Sequence, residues 1–168
     1  NMTKSELAQD VISWIDSGLL HPASRYDYIV FCDNIDNNYN ADARKLVLDS
    51  IKVVPCAVCA RGALFLTCLV KKNELTVEQA YNTPDNLRRL SDYLEVFSIN
   101  ELEDIENFFE LDKYCDYEDY IVKIDDCIND RRKWLKMLMQ HIIENDGFNP
   151  ELFIEDWPVD KVIAEFAN

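Results

Sequence analysis

The 168-residue chain is predicted to be all-α, a single compact domain of about seven or eight helices around a central apolar helix at about residues 56–70. Three observations support this fold class. The length is that of one ordinary domain, apolar residues recur mainly every three or four positions, and the only glycines are Gly18, Gly62 and Gly147. With 48% hydrophobic residues the chain has enough apolar material for a core.

The first half of the chain reads as helices joined by polar turns. Helical periodicity is present in Ser5–Leu20, where Gly18 is a C-terminal stop signal, and again in Asp42–Val53. Tyr26–Phe31 is short and β-branched enough to be a strand or a buried entry into a helix. Pro55 suits the first turn of a helix, so the central helix is predicted at Cys56–Val70, which is apolar on nearly every side.

The second half also shows helical signals, with only residues 112–123 ambiguous. Ser98 and Glu101 have capping-box spacing and begin a helix over Ile99–Leu111, with an apolar stripe of Leu102, Ile105 and Phe109. The other predicted helices are Thr76–Tyr81, one from Thr83-Pro84 through Phe97, the longest one at about Asp125–Asn145, and two short ones after Asn149-Pro150 and Trp157-Pro158.

Charge is distributed very unevenly along the chain. The formal net charge is −15; residues 1–90 carry 11 acids and 10 bases, a net of −1, whereas residues 91–168 carry 21 acids and 7 bases, a net of −14. The domain therefore has a near-neutral part, 1–90, and an acidic part, 91–168. The acidic part would repel nucleic acid and anionic membranes and attract a basic partner, so direct nucleic-acid binding is disfavoured.

Several classes of site and location are excluded or disfavoured by the residues present. The three glycines cannot form a dinucleotide-binding loop, a P-loop or a hydrolase nucleophile elbow. The most apolar stretch, Val53–Val70, contains Pro55 and Arg61, which argues against a membrane span. No secretory signal is recognised ahead of the six cysteines, so we expect the protein to lie in the reducing cytoplasm, where cysteines stay as free thiols.

Cys56 and Cys59 form a C-x-x-C motif at the start of the central helix. We favour a packing role, because small residues at this spacing allow another helix to approach closely. A redox pair and a zinc site remain as alternatives, although no convincing second pair of zinc ligands exists in the sequence. No metal site and no cofactor are predicted.

Arg61 is the only charged residue within the central apolar helix. A buried guanidinium needs a partner, so we expect an ion pair to a carboxylate such as Asp33 or Asp36, or a side chain that reaches the surface. The alternative is that Arg61 lies near a pocket and binds an anion such as a nucleotide. The nearby Asp36–Asp42 resembles a calcium loop but lacks its glycine and its final glutamate, which favours a polar turn.

The strongest functional candidate is the acidic stretch 101–126, where eleven carboxylates face only Lys113 and Lys123. Helical carboxylates three or four residues apart stand about 5–6 Å from one another, which is similar to the spacing of phosphates along a nucleic-acid strand. Tyrosines lie among these acids, and aromatic side chains contribute strongly to binding at protein interfaces. The alternative is a solvated face that only confers solubility. The predicted partner-binding residues are Glu101, Glu103, Asp104, Glu106, Glu110, Asp112, Asp116, Glu118, Asp119, Tyr114, Tyr117 and Tyr120.

The only basic run lies after this stretch. It comprises Arg131, Arg132, Lys133 and Lys136, which we expect to pair with acids of their own helix, to dock the acidic segment or to contact another subunit. His141 lies in the same predicted helix and reads as a packing residue. No catalytic residue is predicted.

Two segments, Cys56–Phe65 and Arg132–Gly147, resemble small acidic proteins of phages and prophages. The shared features are a core helix with cysteine and a Gly-Ala pair, and a late helix that ends in Asn-x-Gly. The resemblance covers about 26 residues and concerns packing motifs. It implies an origin in a mobile element and a protein that blocks a host or immune protein.

Together these observations predict a cytoplasmic interaction protein that binds and inhibits a basic host or anti-phage defence protein, with nucleic-acid mimicry as one mode. A small anionic-ligand binder with Arg61 near its pocket is the second hypothesis. A cysteine- or metal-dependent enzyme is the third.

Overall fold

The structure is a computed structural model that describes residues 2–18, 20–24, 29–31, 56–74 and 84–167. The predicted elements at 42–53 and 76–81, and the turn at 36–42, lie outside the described residues. In chain order the elements are α1 (Lys4–Asp16), β1 (Leu20–Pro22), β2 (Ile29–Phe31), β3 (Cys56–Val58), α2 (Ala60–Lys71), α3 (Leu87–Leu94), α4 (Ile99–Glu110), α5 (Glu118–Ile124), a 3-10 turn (Asp125–Cys127), α6 (Arg131–Asn145), α7 (Pro150–Asp156) and α8 (Val159–Phe166).

The predicted all-α fold class is confirmed in that the protein is mostly helical, with eight α-helices in the described ranges. A small sheet of order β1-β3-β2 was not predicted as such. In it β3 runs parallel to β1 and antiparallel to β2. The central helix was therefore predicted to begin too early: residues 56–58 form β3, because backbone partners distant in sequence pair with them, and α2 begins after Cys59. The Sγ of Cys59 accepts a hydrogen bond from the Gly62 N–H at 3.5 Å and caps the helix.

The core surrounds α2, as the apolar sequence predicted. This helix packs against α1, α3 and α4, while α1 lies along α6. The buried side chains of all these helices belong to one hydrophobic cluster. None of the helices in the described ranges is long and apolar enough to cross a membrane.

Side-chain caps determine where the helices begin in the acidic half. The predicted capping box is confirmed: the Ser98 hydroxyl accepts from the Glu101 N–H, and the Glu101 carboxylate accepts from the Ser98 N–H. The longest helix was predicted from about Asp125 but begins at Arg131. The carboxylate of Asp130 accepts hydrogen bonds from the N–H groups of Arg132 and Lys133, which fixes the start there.

An aromatic cluster fills the centre of the acidic half. The fully buried ring of Phe108 contacts the rings of Tyr117, Phe148 and Phe153. The indole Nε1–H of Trp134 donates to the backbone oxygen of Phe108 at 2.8 Å. These contacts join α4, α6, α7 and the loop after α4, and so hold that loop against the core.

Candidate partner-binding surface

Helix α4 carries the acidic residues and also supplies core residues. Leu102, Ile105 and Phe109 are buried, as predicted, and Phe108 joins them. The helix ends at Leu111, which adopts the left-handed conformation with φ 58°, and the Asp112 N–H donates to the Asn107 oxygen at 2.9 Å. This closure turns the chain back, so that the loop after α4 lies beside the helix.

Glu101 acts as an internal anchor. Its carboxylate accepts from the Lys4 ammonium at 2.8 Å and from the Phe148 N–H at 3.2 Å. Burial alone would raise the pKa of Glu101, but the hydrogen bonds from Lys4 and from the Ser98 and Phe148 amides lower it. Gly147 allows this contact, because a Cβ at that position would lie only 2.8 Å from Glu101 Oε2.

Glu106 and Glu110 also have partners inside the chain. The Glu106 carboxylate forms an ion pair with Arg61 of α2, with side-chain exposures of 27% and 16%. Glu110 accepts from the Ser24 hydroxyl at 2.6 Å. Burial raises the pKa of Glu110, although Ser24 and the nearby guanidinium groups of Arg131 and Arg61 oppose the rise. Two of the helical carboxylates predicted to have phosphate-like spacing are therefore engaged within the fold.

A depression of about 190 Å³ is lined by four of the other predicted acidic residues, Glu103, Asp104, Asp112 and Asp116. We call this surface the acidic patch; it comprises Glu103, Asp104, Asp112, Tyr114, Asp116 and Glu151. Glu151 comes from α7 and accepts a hydrogen bond from the Tyr117 hydroxyl at 2.9 Å. In the described part of the chain, no Lys or Arg forms an ion pair with a carboxylate of the patch.

The carboxylates of the acidic patch repel one another. Burial raises the pKa of Asp104, and the charges of Glu103, Glu151 and Asp116 raise it further, to about 6. Burial and the Glu151 carboxylate raise the pKa of Tyr117 to about 12. A positive charge placed on this surface would relieve the repulsion.

Asp104→Asn is expected to stabilise the protein near neutral pH. Because the folded-state pKa of Asp104 is raised from 3.8 to about 6, the folded state binds a proton more tightly than the unfolded chain. The contribution of Asp104 to stability is therefore most favourable below about pH 4 and is lost as pH rises through 6. After solvent screening, we expect the variant to gain about 1 kcal/mol and about 2–4 °C in Tm at pH 7.5.

Thermal unfolding of Asp104→Asn and the wild type from pH 4 to pH 8 checks this. The gain should disappear toward pH 4. Glu155→Gln, which changes an exposed carboxylate outside the patch, should stay within about 0.5 kcal/mol at every pH. An equal gain in both variants would show that only net charge is responsible.

The predicted tyrosine anchors differ in what they can contact. Tyr114 is 98% exposed and projects from the loop, whereas Tyr120 is only 7% exposed and donates its hydroxyl to the Trp157 oxygen. Tyr120 is therefore a core residue, because its ring packs near Phe108. Tyr117 is half-buried, so its exposure is intermediate between those of Tyr114 and Tyr120. Glu118 and Asp119 are exposed in the first turn of α5, where they complement the helix dipole.

Cys59 of the C-x-x-C motif and Arg61 both contact other parts of the fold. The thiol of Cys59 is buried, and burial raises its pKa, which makes the thiolate scarce; the side chain of Cys56 lies outside the described part. Arg61 pairs with Glu106, while Asp33 and Asp36 also lie outside that part. Among described residues, no group of three His, Cys, Asp or Glu side chains is placed to share a metal ion.

The basic run pairs with other elements more than with its own helix. Arg131 donates to the Phe109 oxygen, Lys133 donates to the Glu165 oxygen, and Lys136 pairs with Asp16. Only Arg132 keeps a partner beside its own helix, Asp130, at 3.9 Å. These cations therefore tie α6 to α4, α8 and α1 and do not neutralise the acidic patch.

Sequence reasoning missed Glu151 as a member of the patch. It lies 34 residues from Tyr117, and no local spacing connects the two. The chain matches no protein-family model, no curated protein and no solved structure.

Proposed function

We propose that the protein binds a basic surface of another protein through the acidic patch and blocks that surface. The observation that carries the proposal is the concentration of patch carboxylates without a cationic partner in the described residues, beside a fully exposed tyrosine. Aromatic side chains supply contact energy at interfaces, and unpaired carboxylates supply steering and specificity.

The close approach of the patch carboxylates to one another supports a cationic partner over a merely solubilising surface. A surface selected only for solubility gains nothing from carboxylates close enough to repel one another. Here burial together with Glu103, Asp116 and Glu151 raises the pKa of Asp104 to about 6. A bound lysine or arginine would remove this repulsion and keep Asp104 ionised, so binding and proton release are coupled.

The proposal is for a protein partner and does not extend to imitation of a nucleic-acid backbone. A mimic needs carboxylates in a line, and Glu106 and Glu110 are engaged by Arg61 and Ser24. The patch is instead a compact surface formed by α4, the following loop and α7. The resemblance to small acidic phage proteins supports a host or defence protein as the partner, with inhibition by steric and electrostatic occlusion.

Reversal of patch charges is expected to abolish partner capture. The variant Glu103→Lys/Asp112→Lys/Asp116→Lys should weaken binding at least about 100-fold, because each reversal replaces an attraction by a repulsion. The experiment is affinity capture from a bacterial lysate at low and high salt, with quantification of each captured protein. Capture by the wild type should fall as salt rises.

A charge-matched control separates the patch from net charge. Asp85→Lys/Asp92→Lys/Glu155→Lys makes the same change in net charge outside the patch and should capture the partner as the wild type does. Tyr114→Ala should capture it more weakly at both salt concentrations. If the patch variant and the control retain the same proteins equally, the proposal is wrong.

A further inference from the structure

A second concave site lies away from the acidic patch. It is a groove of about 490 Å³ between α1, α6 and the turn that joins α7 to α8. Its volume falls within the range of roughly 300–1,000 Å³ that small-molecule sites occupy. None of the acidic-patch residues lines it, so a role for this groove is independent of the proposed function.

Four of the side chains that line the groove are apolar, and one of these is aromatic. Ile12 and Ile15 come from α1, Met137 comes from α6, and Trp157 lies between α7 and α8. The ammonium of Lys161 lies over the Trp157 ring, 4.4 Å from its centroid. The ring is therefore already in contact with one cation, and an indole favours such contacts electrostatically.

The cations that line the groove already have carboxylate partners. Lys136 pairs with Asp16 at 2.5 Å, and Lys133 pairs with Glu165 at 3.6 Å while donating to the Glu165 backbone oxygen. Arg132 is near Asp130 at 3.9 Å. An anionic ligand would have to compete with these carboxylates for each cation.

Two carboxylates of the groove have no such partner. Within the described ranges, neither Glu144 nor Asp156 forms an ion pair, and Glu144 accepts only the Gln140 side-chain amide at 3.3 Å. Both lie near His141: burial lowers the pKa of His141, and the charges of Asp156 and Glu144 oppose this. Beside them, the Lys161 ammonium donates to the Asp156 backbone oxygen at 2.9 Å. After internal pairing, two carboxylates remain beside this one ammonium, so the charge left at the groove is negative.

His141 itself is not free to bind a ligand. Its Nε2 accepts the Asn149 N–H at 3.1 Å, and its Nδ1 lies 3.1 Å from the Asn145 side-chain nitrogen. The recognition groups left are therefore the two carboxylates and the aliphatic side chains, while Lys161 already covers one face of the Trp157 indole.

We propose that this groove binds a small organic cation with an aromatic or aliphatic body. The apolar part would lie along Ile12, Ile15 and Met137 beside Trp157, and its ammonium or ring cation would pair with Glu144 or Asp156. A neutral apolar ligand would leave these carboxylates uncompensated, and an anion would be repelled by them.

The test uses two cationic probes, thioflavin T and phenethylammonium, and one anionic aromatic probe, 8-anilinonaphthalene-1-sulfonate. Equilibrium dialysis and quenching of tryptophan fluorescence measure their affinities for the full chain. We expect saturable binding of at least one cation, and at least about tenfold weaker binding of the anion, as expected for an attraction replaced by a repulsion.

Matched variants locate the binding. Glu144→Gln/Asp156→Asn should weaken cation binding about tenfold, through loss of two solvent-exposed charge contacts. Glu155→Gln/Asp160→Asn removes the same charge outside the groove and should change it less than about twofold. Circular dichroism confirms that both fold.

Three results would overturn the proposal: no saturable binding of either cation to the wild type, equal loss in the two double variants, or tighter binding of the anion. Equal loss would mean that cations respond only to the net negative charge of the chain.

Discussion

Phe108→Ala is expected to lower the free energy of unfolding by about 3–5 kcal/mol. Phe108 is fully buried, and its ring contacts four aromatic rings from the loop, α5, α7 and the turn before α7. Truncation removes these contacts and leaves a cavity that the surrounding helices cannot fill completely. Urea unfolding followed by circular dichroism measures the change, which should correspond to a fall in Tm of roughly 10 °C.

Tyr114→Ala provides the contrasting variant for stability. It removes a side chain of similar size from the same half of the protein, but Tyr114 is 98% exposed. Its free energy of unfolding should change by less than about 0.5 kcal/mol. Comparable losses in the two variants would show that Phe108 is not the centre of the aromatic cluster.

The aromatic cluster also explains why the acidic patch has a defined shape. Tyr117 packs its ring on Phe108 and donates its hydroxyl to Glu151. One residue thus connects the core to a patch carboxylate. Partial loss of the core in Phe108→Ala should therefore weaken partner capture as well as stability, whereas Tyr114→Ala should affect capture alone.

The sequence predicted helix ends correctly where neighbouring residues determine them. The capping box of Ser98 and Glu101 and the stop at Gly18, where φ is 79°, depend on neighbouring residues only. Strand β3 was missed because its stability depends on pairing with Leu20–Pro22 and Ile29–Phe31, which are far away in sequence. The start predicted for α6, at about Asp125, was too early. Asp125–Cys127 forms a 3-10 turn instead, and Asp130 caps the helix that follows it.

The acidic surface could be predicted only in outline, since composition gives the amount of charge and not its pairing. Glu103 and Asp104 are neighbours of Glu101 and Glu106 in sequence, yet only the latter two have internal cations, Lys4 and Arg61, among the described residues. These partners lie far from α4 along the chain and carry no spacing signal. Tyr120 was predicted to be an aromatic anchor because, like Tyr114 and Tyr117, it lies among the acids, but helix α5 turns its ring into the core.

Loss of the ion pair between Arg61 and Glu106 is expected to have the second large effect on stability. Arg61→Met is expected to lower the free energy of unfolding by about 2–3 kcal/mol, because it leaves the half-buried Glu106 carboxylate without its cation. Glu106→Gln should lower the free energy of unfolding by a similar amount, because it removes the Glu106 carboxylate from the Arg61 guanidinium. Lys71→Met, on the same helix, breaks an exposed pair with Asp10 and should cost less than about 1 kcal/mol.

The double variant Arg61→Met/Glu106→Leu separates a structural ion pair from a ligand site. Because both charges are removed together and replaced by apolar groups, its stability should return to within about 1 kcal/mol of the wild type. Urea unfolding of the wild type, the two single variants and the double variant gives the coupling energy directly. Additive losses would mean that the two side chains act independently. A normal stability of Arg61→Met combined with loss of a nucleotide-induced shift in Tm would instead assign Arg61 to an anion site. We expect the coupled result, because the Arg61 guanidinium forms an ion pair with the Glu106 carboxylate inside the fold.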